Sequence, residues 1–411
     1  MSEPVPIAGT RAATRPEGAL PKRLLYSISA RVGGTGLDSV AHQTLIGAER
    51  GGFLGRAIAW DNRQRDVPAQ KIRSLRWHPV RLLSFLDSPY YYGAKKQYLD
   101  WITSRELAAG GYDCFHGWSG DAVRTLRVAR RLGIPSLIEI PTWHRNKGKL
   151  KPLYTKTERE MLRAPWTQRL LHRLLVSRQA ILEEYDLADV LLVQSTKAAE
   201  TFLSADIPPE KLFMIERAVD ADRFHPGPPP AKFRALFVGA LIERKGVHIL
   251  LEAWRRLALP DAELVLVGTV HDEIKPWLEK FGGPDVQTPG FARDIAELYR
   301  SATVHVFPSL CEGSAKVVFE AAASGLAQIM TREAGDFVED GVTGRVVPAE
   351  DVEALAQAIR ELHDHPERTA AMGAAARRLV EERYTWDHFR ARMLDAYRLA
   401  AERAAAVRTD R

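Results

Sequence analysis

The chain has 411 residues, of which 45% are hydrophobic and 27% are charged, so it holds enough apolar material for two cores. No apolar run reaches the roughly 18 residues that a membrane span needs, and residues 1–22 lack the apolar stretch of a signal peptide. The two cysteines, Cys114 and Cys311, are too few and too far apart in sequence for a disulfide framework or a zinc cluster. We therefore expect a two-domain cytoplasmic protein whose residues 1–22 form a mobile amino-terminal segment.

Basic residues are concentrated in the first part of the chain. Residues 1–180 contain 30 Lys and Arg against 14 Asp and Glu, a net charge of +16, whereas residues 181–411 contain 28 against 38, a net charge of −10. A basic surface attracts phosphates, nucleic acid or an anionic membrane, and charge alone does not choose among them. A solvated basic face explains the same numbers.

Short apolar segments alternate with helical patterns along the whole chain, which predicts parallel sheets covered by helices. A glycine turn at Gly33–Gly36 follows the first predicted strand. Consecutive prolines in the segment His225–Pro230 favour a stiff linker, and a second series of strands begins after it. Strands are predicted at residues 23–30, 112–118, 134–140, 188–194, 211–215, 235–239, 263–268, 304–307 and 327–330, and helices at 246–257, 294–302 and 386–405.

This order predicts an α/β protein with two Rossmann-like, doubly wound domains that face each other across a cleft. The first domain is predicted at residues 23–225 and the second at residues 231–385. A terminal helix at about residues 386–411 is expected to pack back toward the first domain. Ligands of such sheets bind at the carboxyl ends of the strands, so we expect the chemistry in the loops that follow them.

The segment FPSLCEGSAKVVFEAAASG, residues 307–325, runs from a predicted strand through a loop into an Ala-rich helix. Glu312 precedes this helix and Glu320 lies in it. Gly313, Ser314 and Ala315 are predicted to expose backbone N–H groups at the helix N-terminus, a site that suits a diphosphate. Glu320 is placed to accept hydrogen bonds from vicinal hydroxyls such as those of a ribose, although a solvated glutamate pair has the same spacing.

The loop after residues 235–239 has the sequence ALIERKG and presents Arg244 and Lys245 where its strand is predicted to end. A guanidinium and an ammonium at this place neutralise a pyrophosphate and stabilise its charge as it leaves. A basic doublet at a helix start is also common on plain solvated surface.

Together these segments resemble the retaining glycosyltransferases of family 4, which have the GT-B fold. The resemblance covers most of the chain and is strongest from residue 235 to residue 348. It is carried by FVGALIERKGVHILLEAW (237–254), the two glutamates of PSLCEGSAKVVFEAAASG, and FVEDGVTGRVVP (337–348). EYDLADVLLVQS (184–195) and AVDADRF (218–224) are weaker carriers.

The resemblance implies transfer of a sugar from a nucleotide-diphosphate sugar to an acceptor hydroxyl with retention of anomeric configuration, in polysaccharide or glycoconjugate biosynthesis. It implies that Glu312 contacts the donor sugar and that Glu320 holds the ribose. Gly239, Arg244 and Lys245 are expected at the donor diphosphate, together with the backbone of Gly313, Ser314 and Ala315.

On the acceptor side, the resemblance implies that Gly34 and Thr35 approach the diphosphate or the acceptor, and that a histidine lies near the donor sugar. Pro141 occupies the usual position of this histidine. His144 in PTWHRNKG and His116 in YDCFHGWSG both remain candidates, with His144 preferred.

One departure from the family pattern concerns charge. Ala240 stands where the family commonly has an arginine, and Arg244 is expected to supply that charge instead. Asp220-Ala221-Asp222 resembles the Asp-x-Asp metal motif of another glycosyltransferase fold, but it matches the family's linker signature. We expect no metal and no cofactor besides the nucleotide sugar.

The acceptor is predicted to be a glycan, a lipid-linked molecule or a small molecule. Basic and aromatic residues are interleaved from residue 71 to residue 101, with Trp77, Phe85 and Tyr92 among the aromatics. Three interpretations stay open: peripheral contact with the inner face of an anionic cell membrane, a groove for a soluble acceptor, and aromatics that fill the core beneath a charged surface.

Three other functions compete with transfer. A non-catalytic glycan-binding or nucleotide-sugar-binding GT-B protein predicts damage at Glu312, Arg244 or Lys245, and these positions are intact. A nucleic-acid binder is supported by charge and by interleaved aromatics, but by no nucleic-acid motif. A sugar phosphorylase would use phosphate in place of the nucleotide.

Overall fold

The computed structural model describes residues 7–10, 16–34, 36–147, 165–292 and 294–409. These residues form two compact units. Unit 1 contains the chain up to Val193, the segment Thr201–Ile215 and the chain from Arg390 onward. Unit 2 contains Gln194–Glu200 and Glu216–Phe389.

The described part of unit 1 is built on a parallel sheet of seven strands in the order β3-β2-β1-β4-β5-β6-β7. The order reverses between β1 and β4, which is the point where Rossmann-like sheets open to ligands. The last four strands in this order are buried along their whole length, which explains their short apolar sequences. The strands are β1 Leu24–Val32, β2 Leu54–Asn62, β3 Ile72–Ser74, β4 Cys114–Trp118, β5 Ser136–Glu139, β6 Val190–Val193 and β7 Leu212–Met214.

Helices connect these strands and cover the sheet. A 3-10 turn at Pro79–Leu83 precedes the second helix. The helices up to the end of this sheet are α1 Leu37–Arg50, α2 Ser88–Ala108, α3 Val123–Leu132, α4 Trp166–His172, α5 Arg178–Leu187 and α6 Thr196–Leu203.

Unit 2 contains a parallel sheet of six strands in the order β10-β9-β8-β11-β12-β13. Its core holds Phe237 and Phe307, whose rings stack at 5.5 Å, together with Trp254. The strands are β8 Phe233–Val238, β9 Ala262–Val267, β10 Val286–Gly290, β11 Val304–Phe307, β12 Ala327–Thr331 and β13 Gly344–Val347. The helices are α7 Val247–Leu257, α8 Lys275–Phe281, α9 Ile295–Arg300, α10 Lys316–Ala323, α11 Val352–Asp364 and α12 Pro366–Arg383, and α13 Trp386–Thr409 continues from unit 2 into unit 1.

The predicted strands and helices are confirmed to within a few residues at each end. Four strands, β2, β3, β10 and β13, were not predicted from the sequence. β2 has the sequence LGRAIAWDN, in which charged residues interrupt the apolar run, and β10 carries a proline in VQTPG. β3 is only three residues long. The general two-sheet α/β architecture is confirmed, because both sheets are parallel and both have helical crossovers.

The division into units differs from the predicted linker. The chain leaves unit 1 after Ile215, and the proline segment belongs to unit 2. The cause is packing: the Phe224 ring contacts the Tyr299 ring at 5.8 Å, and a Cβ on Gly325 would lie 3.1 Å from Pro226. The proline segment is therefore part of unit 2.

The described parts of the amino-terminal segment contact unit 1. Ile7 is buried, and Ala8 forms a bridge with Phe213 in β7. The Gly18 N–H donates to Glu402 of α13. Among the described residues, no helix combines the length and the apolar character that crossing a membrane requires.

Candidate functional site

The candidate donor site of unit 2 lies where β8 and β11 end, on adjacent strands of the sheet. A 3-10 turn at Glu243–Lys245 follows β8, and Gly246 joins it to α7. Gly246 has φ +70°, and a Cβ there would lie 2.0 Å from the Pro308 carbonyl oxygen. Only glycine permits this approach, which brings the basic turn against the loop that follows β11.

Glu312 contacts both cations of that turn. Its Oε1 lies 3.0 Å from Arg244 Nη1 and 3.6 Å from Lys245 Nζ. Arg244 also donates to the Cys311 carbonyl, and its own carbonyl accepts from the Leu310 N–H at 2.9 Å. The structure therefore brings together Arg244, Lys245 and Glu312, which lie far apart in sequence.

Lys245 is enclosed more than its neighbour. Its side chain is 17% exposed, against 43% for Arg244. The ammonium lies 5.2 Å from the centre of the Phe307 ring, and a Cβ on Gly239 would lie 3.0 Å from Nζ. Burial lowers the pKa of Lys245, and the nearby Glu312 carboxylate opposes that shift. Gly239 thus leaves room for a cation that water solvates poorly.

One of the three backbone N–H groups predicted to be open at the start of α10 is not open. The Ala315 N–H donates to the Ala334 carbonyl at 2.9 Å, so it is not an open donor for an anion. The loop after β12 reaches back to α10 and occupies it; the Glu312 N–H is likewise taken by Glu333. Within the described part of the chain, the backbone N–H groups of Gly313 and Ser314 donate to no protein acceptor.

Glu320 is a buried carboxylate on α10, with 8% of its surface exposed. Its Oε2 accepts from the Tyr299 hydroxyl at 3.2 Å, and its Oε1 lies 3.0 Å from Lys316 Nζ. Burial raises the pKa of Tyr299, and the carboxylate adds to the shift. These two contacts hold the carboxylate in place, and each oxygen keeps a lone pair for a ligand.

An exposed aromatic at the same edge of the sheet was missed by the sequence analysis. Phe291 follows β10 directly and is 88% exposed. The missed strand explains the omission, because a position at a carboxyl end becomes visible only when β10 itself is recognised.

The sequence-predicted residues on the acceptor side all belong to unit 1. Gly34 is exposed beyond the end of β1, and a Cβ there would lie 2.8 Å from Asp38 Oδ2. Gly33 has φ +85°, and a Cβ there would lie 2.7 Å from the Gln64 backbone nitrogen, so the turn requires glycine. Thr35 lies outside the described residues.

His144 is buried in unit 1, with 4% of its surface exposed. Its ring contacts Phe202 at 4.9 Å and Tyr185 at 5.2 Å, and its Nδ1 accepts from the Asn146 N–H. Burial lowers the pKa of His144, and nearby Lys147 adds to the shift. The ring is thus kept neutral with its proton on Nε2.

His116 is fully buried on β4. Its Nδ1 lies 2.9 Å from the Tyr397 hydroxyl, and its Nε2 lies 3.3 Å from Glu139 Oε1. These partners lie on α13 and β5, so His116 ties the terminal helix to the sheet. In this structure the His116 ring exposes no surface to a ligand, and its place near a donor sugar stays a prediction.

A cavity of about 300 Å³ opens at the carboxyl ends of β4 and β5 in unit 1. This cavity was not predicted from the sequence, because its walls come from segments far apart in the chain. Two cations and three aromatic rings contribute to its lining: Lys96, Arg145, Tyr92, Trp143 and Tyr185. Lys96 also pairs with buried Asp121 at 2.8 Å.

Two buried carboxylates bind backbone near this cavity, and one of them, Glu184, holds Gly120 in its lining. Glu184 accepts from the Gly120 N–H at 2.6 Å and from the Ala122 N–H at 2.8 Å. Burial raises the pKa of Glu184 to about 8. Asp100 accepts from the first N–H groups of α3, and burial raises its pKa to about 6.

The residues of the Asp-x-Asp segment have local roles. Asp220 Oδ1 accepts from the N–H groups of Asp222 and Arg223, which closes a turn. Over the described ranges, no group of three or more His, Cys, Asp or Glu side chains is arranged to hold a metal ion.

Residues 232–365 match the family model described as Glycosyl transferases group 1. The MMP alpha-(1->4)-mannosyltransferase of Mycolicibacterium hassiacum is 30% identical over 229 residues, which cover 53% of this chain and 56% of that protein. The chain therefore spans less than two thirds of this relative's length. The D-inositol 3-phosphate glycosyltransferase 1 of Catenulispora acidiphila is 28% identical over 342 residues, which cover 75% of this chain and 78% of that protein.

Solved structures share the fold at low sequence identity. Sucrose-phosphate synthase from Thermosynechococcus elongatus superposes with a TM-score of 0.69 at 18% identity, over 92% of this chain and 98% of that one. Anabaena HepE in complex with UDP-glucose superposes with a TM-score of 0.64 at 17% identity, over 91% and 98%. The matched segment, residues 232–365, is thus a group 1 glycosyltransferase domain, and the two Rossmann-like units of the chain have the GT-B fold.

Proposed function

We propose that this protein is a retaining, metal-independent glycosyltransferase that uses a nucleotide-diphosphate sugar as its donor. The observation that carries the proposal is the cluster of Arg244, Lys245 and Glu312 at the carboxyl ends of β8 and β11. Two cations beside a carboxylate suit a ligand that carries both a diphosphate and sugar hydroxyls. The cluster lies within the matched family domain.

The donor is recognised by parts of unit 2 with separate tasks. Arg244 and Lys245 bind the diphosphate, and the N–H groups of Gly313 and Ser314 at the start of α10 add neutral donors. Glu312 accepts from the sugar hydroxyls and fixes the position of the anomeric carbon. Glu320 accepts from the ribose hydroxyls, and the exposed Phe291 ring stacks on the base.

Transfer breaks the bond between the anomeric carbon and the diphosphate oxygen and forms a bond between that carbon and the acceptor oxygen. The acceptor proton moves to the departing diphosphate, on the same face of the sugar. Arg244, Lys245 and the helix N-terminus stabilise the charge that develops there. These groups do the electrostatic work that a divalent cation does in other enzymes.

We place the acceptor in the unit 1 cavity. Tyr92, Trp143 and Tyr185 offer ring faces to a sugar, and Lys96 and Arg145 favour an acceptor with negative charge. The name of the Catenulispora relative, a D-inositol 3-phosphate glycosyltransferase, includes an acceptor of that kind. The sequence also predicts that Gly34, Thr35 and His144 lie on the acceptor side of the site, and this stays a prediction.

Turnover of a donor panel tests the proposal. The purified protein is incubated in EDTA with UDP-, GDP- and ADP-sugars and an anionic polyol acceptor such as inositol phosphate, and nucleoside diphosphate release is measured. We expect one nucleotide class to be used, an α-linked product from an α-linked donor by NMR, and loss of release in Lys245→Ala but not in Lys280→Ala, an exposed lysine on α8. Turnover only with added Mg²⁺, or an inverted product, would contradict the proposal.

A further inference from the structure

Unit 1 exposes three large apolar side chains in one short segment. Trp77 is 82% exposed, Leu82 is 80% exposed and Phe85 is 79% exposed. Tyr92 and Trp101 on the following helix α2 are 57% and 40% exposed. Single exposed apolar residues are common, but a group of this size on one segment marks an interaction surface. We call Trp77, Leu82 and Phe85, with Arg76 and Arg81 between and beside them, the apolar–basic patch.

The patch rests on a packed base. Leu75 is buried, and the His78 ring lies 4.5 Å from the buried Trp60 ring and 6.4 Å from the Tyr98 ring. The 3-10 turn at Pro79–Leu83 then leads into α2. Leu75 and His78 therefore anchor the segment to unit 1, while Trp77, Leu82 and Phe85 are left exposed to solvent.

The charges around the patch have one sign. Residues 71–96 contain six Lys and Arg and a single acidic residue, Asp87. The Arg81 guanidinium lies 5.2 Å from the centre of the Trp77 ring. Arg76 and Arg81 are exposed, and neither pairs with a carboxylate among the described residues. The cations nearby are already engaged: Lys71 with Glu49, Arg73 with Glu106 and Lys96 with Asp121.

We propose that the apolar–basic patch docks unit 1 on an anionic lipid bilayer. Trp77, Leu82 and Phe85 enter the interfacial region, where aromatic and aliphatic side chains are stabilised beside headgroups. Arg76 and Arg81 pair with lipid phosphates. The patch combines exposed apolar side chains with basic residues and has almost no acidic neighbours. This combination fits an anionic bilayer, with its charged headgroups and apolar interior, better than a protein surface of mixed charge. Tyr92 also lines the unit 1 cavity, so docking brings the cavity mouth close to the lipid.

Vesicle sedimentation with the full chain tests the proposal, which does not depend on the glycosyltransferase assignment. We expect binding to mixed phosphatidylglycerol–phosphatidylcholine vesicles that weakens with salt, and weak binding to phosphatidylcholine alone. Trp77→Ser/Leu82→Ser/Phe85→Ser should lose at least about tenfold in affinity, and each of Arg76→Ser and Arg81→Ser should lose roughly fivefold. The matched control Arg131→Ser/Leu132→Ser, on the exposed end of α3, should bind like the wild type.

Two further measurements keep a negative result interpretable. Circular dichroism of each variant shows whether it is folded, and brominated lipids should quench tryptophan fluorescence in the wild type more than in Trp77→Phe. Wild-type protein that ignores anionic vesicles, or a folded triple variant that binds as well as the wild type, overturns the proposal. A wild-type dimer in light scattering that the triple variant abolishes, without vesicle binding, assigns the patch to a second copy and also overturns it.

Discussion

At the scale of single residues, the contacts of Glu312 bear most directly on the proposed donor site. It is the shared partner of Arg244 and Lys245, so in this structure a carboxylate occupies the place where the proposal puts a diphosphate. A diphosphate carries more negative charge than one carboxylate and competes for the same two cations. In the proposed site, Glu312 therefore binds the sugar hydroxyls and competes with the diphosphate for Arg244 and Lys245.

This opposition predicts a split effect for Glu312→Gln. We expect the rate of transfer to fall by at least about 100-fold, because sugar positioning is lost. Affinity for the nucleoside diphosphate should be equal to or tighter than in the wild type, because a competing charge is gone. Calorimetry and turnover on the same preparation measure both. A parallel loss of nucleotide affinity would show that Glu312 does not act on the sugar.

Lys245 should make nucleotide binding sensitive to alkaline pH. Burial lowers the pKa of this lysine in the folded protein, so its charge is lost at lower pH than that of an ordinary lysine, whose pKa is about 10.4. A bound diphosphate favours the charged form, so binding takes up a proton once the free site is neutral. Affinity should fall as pH rises through the lowered pKa, and Lys245→Arg should remove the fall. Identical pH profiles for both proteins would contradict this role.

Glu320 should be energetically coupled to the ribose. In the wild type, a 2′-deoxynucleotide should bind at least about tenfold more weakly than the ribonucleotide, which corresponds to one hydrogen bond to a charged group. In Glu320→Ala the two nucleotides should bind equally, whereas Glu279→Gln, on the surface of α8, should behave as wild type. Calorimetric titration of both nucleotides into all three proteins completes the cycle. An unchanged preference in Glu320→Ala places the ribose elsewhere.

At the scale of elements, the positions of the strands are predicted from the sequence better than the contacts between neighbouring elements. β11 is predicted with the bounds it has, because VHVF is a short buried run between a helix and a loop. The pairing of Arg244 with Glu312 follows from the adjacency of β8 and β11, and spacing within either motif does not contain it. The engagement of the Ala315 N–H depends on the loop after β12, which no local pattern announces.

The unit 1 cavity illustrates the same limit. Gly120 in its lining is held by Glu184, which comes from α5, more than sixty positions later in the chain. Glu184 belongs to EYDLADVLLVQS, a segment that carries the family resemblance. Its burial and its two N–H partners, however, depend on the tertiary structure. His116 is the opposite case: the motif was recognised from the sequence, and only the structure shows that α13 encloses it.

Glu184 predicts a pH-dependent stability of unit 1. The pKa of its carboxyl is about 8 when folded and about 4.3 when unfolded, so the folded state binds more protons between these values. Stability is fully present below the unfolded pKa and is lost as pH rises through about 8. Denaturant unfolding at about pH 6 and about pH 9 should show the loss, with a smaller difference in Glu184→Gln. An equal difference in both proteins would assign the loss to other groups.

At the scale of the whole molecule, the two units divide the proposed reaction. Unit 2 holds the cation and carboxylate cluster and the matched family domain, and unit 1 holds the cavity and the apolar–basic patch. The charge asymmetry of the sequence agrees with this division, because the basic residues 1–180 form most of unit 1. The lining of the proposed acceptor site could not be predicted from local sequence patterns, because its side chains come from distant segments of the chain.

The most direct test of the central claim is calorimetric titration of UDP, GDP and ADP, in EDTA, into the wild type and into Lys245→Ala and Glu320→Ala. We predict that one nucleotide binds without metal and that each of the two variants lowers its affinity by at least about tenfold, whereas Lys280→Ala leaves the affinity unchanged. Failure of all three nucleotides to bind the folded wild type, or equal affinity in wild type and both variants, would contradict a donor site built from these residues.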